Sequence, residues 1–379
     1  MLLINGRVVN RDFDIVEADL LIVGDKIARI APRGTLCTDG QEVIDCTDKL
    51  IMPGFVDIHI HGCNGADTGD ATPEALESMS RYLAARGITS FCPTSMTVGN
   101  DTLRTVFANV RACAEKGLSG AAIVGINMEG PYIAASKKGA QAIEHVRKPD
   151  INEILELNEV AGGLIKLVDI APEEEGSDEF IRAINPIATV SLAHSAATFE
   201  QANHAFALGL NHATHLFNQM TPLTHRGPGA VGAIFDSTTV VAEMICDGFH
   251  INPAVLRIAF RQLGEDRTVV ISDSLKAAGC PDGTYDLGGQ PVYVKDGKAF
   301  MPDGAIAAST ANMHIEFKNL ISYGVPLRQV MKSCTINPAR EIREDKRIGS
   351  IEEGKQADLI VMDAFYEVEK TIIKGKIFA

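Results

Sequence analysis

Eight short apolar runs, widely spaced between residues 53 and 271, constrain the fold of this chain more than any other feature. Most are separated by a segment with the apolar spacing of a helix, and the first such segment opens with Thr72 and Pro73, an N-cap residue followed by proline. Buried strands that alternate with helices indicate a parallel sheet covered by helices, either as a closed barrel or as an open doubly wound sheet. The runs cover residues 55–60, 89–92, 121–128, 164–170, 189–193, 210–214, 240–246 and 268–271.

Acidic and imidazole residues stand at the ends of several of these runs, and their positions decide between the two folds. The C-terminal ends of parallel strands converge on one point only at the mouth of a closed barrel. We therefore predict an α/β protein in which residues 53–340 form a (β/α)8 TIM-type barrel with these side chains at its mouth. They are His59 and His61 at the first run, Glu129 at the third, His194 at the fifth, His215 at the sixth and Asp273 at the eighth.

This set of side chains is typical of a metal-assisted hydrolase. Neutral imidazoles and a carboxylate are the ligands that a borderline divalent cation such as zinc prefers, and a lone aspartate beside them suits a proton shuttle. Each residue taken alone has a structural interpretation. Asp273 could be a helix N-cap, and a single histidine in an apolar segment is more often a hydrogen-bonded core residue, as we expect for His204, His212 and His314.

The two ends of the chain differ from its centre. Short alternating segments with glycine turns precede Pro53, and after helical patterns at 312–323 and 326–334 the strand and turn signals return. Two short separate sheets would each be only marginally stable. We therefore predict that residues 1–52 and 341–379 pair in one small β-domain beside the barrel.

Composition limits the partners and the location of the protein. With 379 residues, 46% of them hydrophobic and 22% charged, the chain can bury a barrel-sized core. Its formal charge of −14 opposes binding to nucleic acid or to an anionic membrane. It lacks an apolar run of about 18 residues and a basic N-terminal leader, and its cysteines show no Cys-x-x-Cys spacing. We expect a cytoplasmic protein with reduced cysteines and without nucleic-acid or membrane partners.

Seven segments together carry a resemblance to a known family. They are 53–62 (PGFVDIHIHG), 128–132 (MEGPY), 138–140 (KGA), 193–198 (AHSAAT), 213–218 (ATHLFN), 247–250 (DGFH) and 337–340 (NPAR). Over nearly its whole length the chain resembles the N-acetylglucosamine-6-phosphate deacetylases of the amidohydrolase superfamily. The resemblance implies hydrolysis of N-acetylglucosamine 6-phosphate to glucosamine 6-phosphate and acetate.

The resemblance also implies a role for each matching residue at the barrel mouth. Glu129, His194 and His215 match the metal triad of the family, and Asp273 matches its general acid and base. The two histidines of the first run match the pair that many superfamily members use for a second ion. The implied cofactor is a divalent metal, Zn²⁺ in first place and Fe²⁺ as the alternative, bound as one ion or two.

Further matches concern the substrate and the assembly. The resemblance implies a phosphosugar site and a homodimer, in which Arg226 reaches the site of the neighbouring subunit. The matching contact residues are Asn218 and Gln219 through backbone donors, Arg226 and His250 through side chains, Ala140, and the turn formed by Ile306, Ala307 and Ala308.

The chain departs from the family pattern at substrate positions but not in the metal triad. Gln141 stands where the family usually has histidine, Gly227 where glutamate commonly follows the arginine, and Ala308 where glycine is usual. The segment 274–276 (SLK) replaces a small or methionine-containing one. These departures leave N-acetylgalactosamine 6-phosphate, or another N-acylated phosphosugar, open as the substrate.

Two other classes of protein remain as alternatives. A cyclic amidase would need a carboxylated lysine at a strand end, whereas Lys166 lies within the fourth run and is interpreted as a structural lysine. A non-catalytic barrel would have lost a metal ligand or the proton shuttle, and the sequence retains all of them.

Overall fold

A computed structural model describes residues 1–378, and its centre is a nearly closed barrel of parallel strands. Each strand pairs with the next along the chain, and the N–H of Asp273, just after the last strand, donates to the carbonyl of His59 in the first at 2.9 Å. The predicted barrel is confirmed, and every predicted apolar run overlaps one barrel strand. The barrel strands, numbered here first to eighth, are Phe55–Ile60, Ile88–Ser95, Ile126–Tyr132, Ile165–Ile170, Thr189–Leu192, His212–Ala213, Val241–Ile245 and Thr268–Ile271.

Helices cover the outside of the barrel. The first begins as predicted, because the side chain of Thr72 accepts from the N–H of Ala75 at 3.2 Å and Pro73 occupies the first helical position. Helix Gly229–Asp236 was not predicted; most of its side chains are buried, so it has no polar face to give a helical period. Among residues 1–378, no helix is long and apolar enough to cross a membrane. The helices are Pro73–Ala84, Asn100–Lys116, Ile151–Val160, Ser177–Ile184, Phe199–Ala207, Gly229–Asp236, Pro253–Leu263, Met313–Ser322, Leu327–Cys334 and Ile336–Glu341, with short 3-10 turns at Thr68–Asp70, Ala135–Lys137 and Ile143–His145.

A second sheet joins the two ends of the chain. Strand Leu50–Pro53 pairs antiparallel with Leu359–Met362, so that N- and C-terminal segments share one sheet as predicted. The predicted domain limit at 52/53 falls inside strand Leu50–Pro53, which runs through Gly54 into the first barrel strand. The other strands of this sheet are Leu2–Val9, Ile15–Val23, Lys26–Pro32, Val43–Asp45, Val368–Ile373 and Lys376–Ile377.

A third, antiparallel sheet was not predicted. Its strands Gly283–Leu287, Gln290–Lys295 and Lys298–Phe300 follow the eighth barrel strand and pair in sequence order. They are short and largely exposed, and this leaves little apolar alternation to detect. The remaining short strands are Gly62–Cys63, Ala66–Asp67 and Ala122–Ile123. All of the cysteines lie within residues 1–378, where they are unpaired.

Gly54 is the point where the second sheet enters the barrel, and it has no room for a side chain. A Cβ atom there would lie 2.2 Å from both Cγ2 and Oγ1 of Thr89, which is buried in the second barrel strand. We expect Gly54→Ala to lower the free energy of unfolding by about 1–3 kcal/mol, the usual range for overpacking. Urea unfolding followed by circular dichroism measures this change, since the chain has no tryptophan.

Gly283→Ala is the matched control, because the nearest atom to a Cβ at Gly283 is 3.6 Å away in Tyr285. It should change the free energy of unfolding by less than about 0.5 kcal/mol. Equal stability of the two variants would show that the structure around Gly54 can accommodate the added methyl group.

Candidate active site

A cavity of about 290 Å³ opens at the C-terminal ends of the barrel strands and collects most of the candidate residues. Candidates from separate strands and loops meet there, as convergence at a barrel mouth requires. The candidates that line it are His61, Glu129, Ala140, His194, His215, Asn218, Gln219, His250, Asp273, Ile306 and Ala308; Met96, Gly139, Gln141, Ile245, Leu287 and Ala305 complete its wall.

The carboxylate of Glu129 lies at the centre of the polar groups. Its Oε1 is 3.1 Å from Nε2 of both His194 and His215. Its Oε2 is 3.1 Å from Nε2 of His61. His59 lies deeper, with Nε2 3.8 Å from Oε1 of Glu129. These five side chains are all buried, and they come from four barrel strands or the residues just after them.

Asp273 lies on the other side of the first-strand histidines. Its Oδ1 is 3.3 Å from Nε2 of His61 and 3.6 Å from Nε2 of His59. Burial raises the pKa of Asp273, but the charges of His59 and His61 outweigh it and hold the pKa below the usual value. The carboxyl group is therefore ionised and able to accept a proton.

The same balance keeps Glu129 ionised. Burial raises the pKa of its carboxyl group, but hydrogen bonds from His194, His215 and His61 hold the pKa well below its usual value. Two buried carboxylates among several imidazoles give a centre suited to binding a cation.

The backbone is strained at three of these residues. His194, His215 and Asp273 have φ values of 45°, 29° and 44°, each two residues beyond the end of a barrel strand. A left-handed conformation costs a non-glycine residue roughly 1–2 kcal/mol. Such strain persists only where the surrounding structure holds it, and it is concentrated at functional sites.

The donor atoms fit a divalent cation. Two sets, His59 with His61 and Glu129, and Glu129 with His194 and His215, each keep their ligand atoms within 4.8 Å of one another. A tetrahedral ion with ligand distances of about 2.0–2.1 Å separates its ligand atoms by about 3.3 Å. The 3.1 Å contacts of Glu129 with His194 and His215 are close to that separation. Within residues 1–378, Nε2 of His59 has no hydrogen-bond partner.

Gln141 contacts the centre directly, although its sequence position indicated only a departure from the family pattern. Its Oε1 accepts from the N–H of Thr97 at 2.7 Å, which fixes the orientation of the amide. Its Nε2 therefore donates to Oε2 of Glu129, at 2.6 Å. The side chain is 2% exposed, so Gln141 is a buried neutral donor to a candidate metal ligand.

Glu243 and His212 were not predicted as part of the site. Glu243, in the seventh barrel strand, lies 3.0 Å from Nδ1 of His59 and 3.1 Å from Nε2 of His212. The signal available in the sequence was a single glutamate inside the apolar run 240–246. His212 is a hydrogen-bonded core residue as expected. For His204 the expectation was wrong, because its side chain is 58% exposed and pairs with Asp178.

Several other candidates lie away from the cavity. Arg226 is exposed in the loop before helix Gly229–Asp236, and Ala307 is fully buried without lining the cavity. The backbone N–H of Asn218 donates to the carbonyl of His215 at 3.0 Å, so it is already in use. Lys166 is the second residue of the fourth strand and pairs with Glu344 at 3.2 Å, as expected of a structural lysine.

Comparisons with known proteins agree with this architecture. The model of the amidohydrolase family matches residues 50–378. An N-acetylglucosamine-6-phosphate deacetylase of Bacillus subtilis (strain 168) is 33% identical over 99% of this chain and 96% of its own length. An N-acetylgalactosamine-6-phosphate deacetylase of Escherichia coli O157:H7 is also 33% identical, over 98% of this chain and 97% of its own.

Solved structures give the same answer. The crystal structure of N-acetylglucosamine-6-phosphate deacetylase from Pasteurella multocida matches with a TM-score of 0.93 and 29% identity, covering 99% of this chain and 98% of that one. The corresponding structure from Thermotoga maritima matches with a TM-score of 0.91 and 31% identity, covering 100% and 99%. This chain belongs to the amidohydrolase family. Its resemblance to the deacetylases, inferred from the sequence motifs, is confirmed.

The contact between Gln141 and Glu129 predicts a role in metal affinity. Removal of a side chain that orients a metal ligand typically costs about 10- to 100-fold in affinity, and we expect Gln141→Ala to weaken zinc binding within that range. Competition with a chromophoric chelator measures the affinity.

Gln329→Ala is the matched control for this variant. Gln329 is also a buried glutamine, and its Nε2 donates to the carbonyls of Phe260 and Gly264 at 2.7 and 2.6 Å, away from the cavity. An equal loss of zinc affinity in both variants would mean that general destabilisation, not the contact with Glu129, is the cause.

Proposed function

We propose that this amidohydrolase removes the acetyl group of N-acetylglucosamine 6-phosphate, releasing acetate and glucosamine 6-phosphate. The observation that carries the proposal is the buried carboxylate of Asp273, 3.3 Å from His61 beside the metal-type centre of Glu129. Two proteins named as deacetylases of this substrate are similar to this chain over nearly its whole length.

Glu129, His194 and His215 would hold one divalent cation, and His59, His61 and Glu129 a second. When bound, such a cation lowers the pKa of a water molecule to about 7 and polarises a carbonyl group. We propose Zn²⁺ as the ion, because its preferred ligands are imidazole nitrogens and carboxylate oxygens; Fe²⁺ is the alternative.

Asp273 would move the proton. As an ionised carboxylate it accepts a proton from the attacking water, and it then donates that proton to the nitrogen of the acetamide. Protonation is needed because an amine anion is a poor leaving group. Burial of the site keeps bulk water from competing as the proton acceptor.

The substrate's phosphate would need donors at the edge of the cavity. We propose that His250 and the loop at Asn218 and Gln219 supply part of them, and that Ala140, Ile306 and Ala308 contact the sugar. Arg226 is exposed outside the cavity of its own chain. We therefore propose that it binds the phosphate in the cavity of a second copy, in a homodimer.

One relative supports a second substrate. The Escherichia coli protein, an N-acetylgalactosamine-6-phosphate deacetylase, is as similar to this chain as the Bacillus subtilis protein. Gln141 and Ala308 line the cavity and differ from the usual residues of the glucosamine enzymes. The galactosamine epimer is therefore the alternative substrate.

The remaining proposals concern organisation. We propose that residues 53–340 form the catalytic domain, that residues 1–52 and 341–379 form the small β-domain, and that the protein acts in the cytoplasm on a phosphosugar.

Asp273→Asn should bind zinc like the wild type and lower kcat by at least about 100-fold, since an amide cannot take up the proton. Acetate release from N-acetylglucosamine 6-phosphate by zinc-reconstituted protein measures kcat, and metal analysis of the same samples checks occupancy. Activity near that of the wild type would remove Asp273 from this role.

The same assay with N-acetylgalactosamine 6-phosphate tests the substrate. Faster release from the galactosamine compound would assign the enzyme to the alternative substrate. Absence of release from both, with metal bound, would contradict the proposed function.

Arg226→Ala should raise KM for the phosphosugar and leave kcat within about threefold, because lost phosphate binding acts on the ground and transition states alike. Turnover of unphosphorylated N-acetylglucosamine should not change. Arg29→Ala, an exposed arginine of the small β-domain, is the matched control. An equal loss on both sugars would rule out a phosphate contact.

A further inference from the structure

Four side chains, three of them fully buried, form a continuous chain from the metal centre into the barrel. Nδ1 of His59 lies 3.0 Å from Oε2 of Glu243, and Oε1 of Glu243 lies 3.1 Å from Nε2 of His212. Nδ1 of His212 lies 2.7 Å from Oε2 of Glu341, the last residue of helix Ile336–Glu341. The first three side chains are fully buried, and that of Glu341 is 10% exposed.

The contacts fix where the protons are. An ionised carboxylate has no hydrogen to donate, so an imidazole nitrogen that faces one must carry the hydrogen itself. Both nitrogens of His212 face carboxylates, and His212 is therefore an imidazolium. Glu243 lies between two imidazoles, with Oε2 3.0 Å from Nδ1 of His59 and Oε1 3.1 Å from Nε2 of His212, and its carboxylate accepts from both.

His59 is the imidazole whose two nitrogens differ. Its Nδ1 donates to Glu243, whereas its Nε2 has no hydrogen-bond partner among residues 1–378 and faces Glu129 at 3.8 Å and Asp273 at 3.6 Å. A hydrogen held at Nδ1 leaves the lone pair for a cation at Nε2. A donor of the centre in the first barrel strand, His59, thus depends on a carboxylate in the seventh strand, Glu243.

We infer that Glu243 is a positioning residue for a second cation, and that His212 and Glu341 hold Glu243 in place for this task. Glu243 keeps the hydrogen of His59 on Nδ1 and fixes the ring, so that Nε2 is presented to an ion shared with His61 and Glu129. The inference rests on the two-ion site proposed above, and it adds the residue that presents His59 to the second ion. Through Glu341 and His212, the C-terminal end of helix Ile336–Glu341 helps to hold Glu243 in place.

A variant that removes the acceptor tests the inference. Glu243→Leu should bind one zinc ion with wild-type affinity, at Glu129, His194 and His215, and should bind the second about 10- to 100-fold more weakly. Glu243→Gln should recover the second ion, since its carbonyl oxygen can accept from Nδ1 of His59. Calorimetric zinc titration with metal analysis separates the two ions without use of the activity.

Glu316→Leu is the matched control. Glu316 is also fully buried, in helix Met313–Ser322, and neither of its carboxyl oxygens has a hydrogen-bond partner among residues 1–378. It should bind zinc like the wild type. Two tightly bound ions in Glu243→Leu, or a single ion in the wild type, would overturn the inference. Failure of the wild type to bind any ion would instead overturn the proposed function.

A measurement on the wild-type protein covers the case in which Glu243→Leu does not fold. Long-range proton–nitrogen correlation spectra of zinc-loaded protein with labelled histidine report which ring nitrogen carries hydrogen. We expect His59, assigned by comparison with His59→Asn, to carry hydrogen on Nδ1 and to be ligated through Nε2. Hydrogen on Nε2 would contradict the inference.

Discussion

The ionised carboxylate of Glu129 is the group on which the rest of the site depends. The transfer of a charged group from water into a protein costs several kcal/mol. Removal of one partner from a buried ion pair destabilises a protein by a similar amount. Glu129, with 3% exposure, is compensated by His194 and His215 at one oxygen and by His61 and Gln141 at the other. The three histidines come from different strand ends, so the carboxylate is satisfied only when the barrel has formed.

The mouth of the barrel is held in turn by structure outside it. Lys276 follows the eighth strand and bridges Asp70, at 3.2 Å, and Asp286 of the third sheet, at 2.8 Å. Leu287 of the same sheet lines the cavity. The third sheet therefore forms part of the cavity wall and is tied to the barrel loops by charge, which accounts for a lysine in the segment 274–276.

The barrel was predictable because parallel strands are buried on both faces. Strands such as Phe55–Ile60 and Ile88–Ser95 are buried throughout, and they stand out in the sequence as apolar runs. The residues at their ends could be assigned to one cavity because only a closed barrel brings them together. The third sheet and helix Gly229–Asp236 gave no such signal, since one is mostly exposed and the other is apolar on nearly every side.

The roles of Glu243 and His212, which lie behind the candidate metal ligand His59, were not predictable from the sequence for a different reason. Glu243 and His212 contact His59 or each other across three barrel strands, and their roles follow from distances between residues far apart in the chain. His212 satisfies the same sequence criteria as any core histidine. Arg226 has the opposite property: the family resemblance implies a phosphate contact, whereas the side chain is exposed outside the cavity of its own chain.

The departures from the family pattern divide by what they contact. Gly227 lies in the exposed loop, and Ser274 donates to the carbonyl of Gly62 at 2.8 Å, so neither changes the cavity wall. Ala308 does, because it lines the cavity with a φ of 49°. That conformation costs alanine roughly 1–2 kcal/mol and glycine almost nothing. Ala308 and Gln141 are thus the two departures that line the cavity, and the proposed choice between the two sugars rests on them.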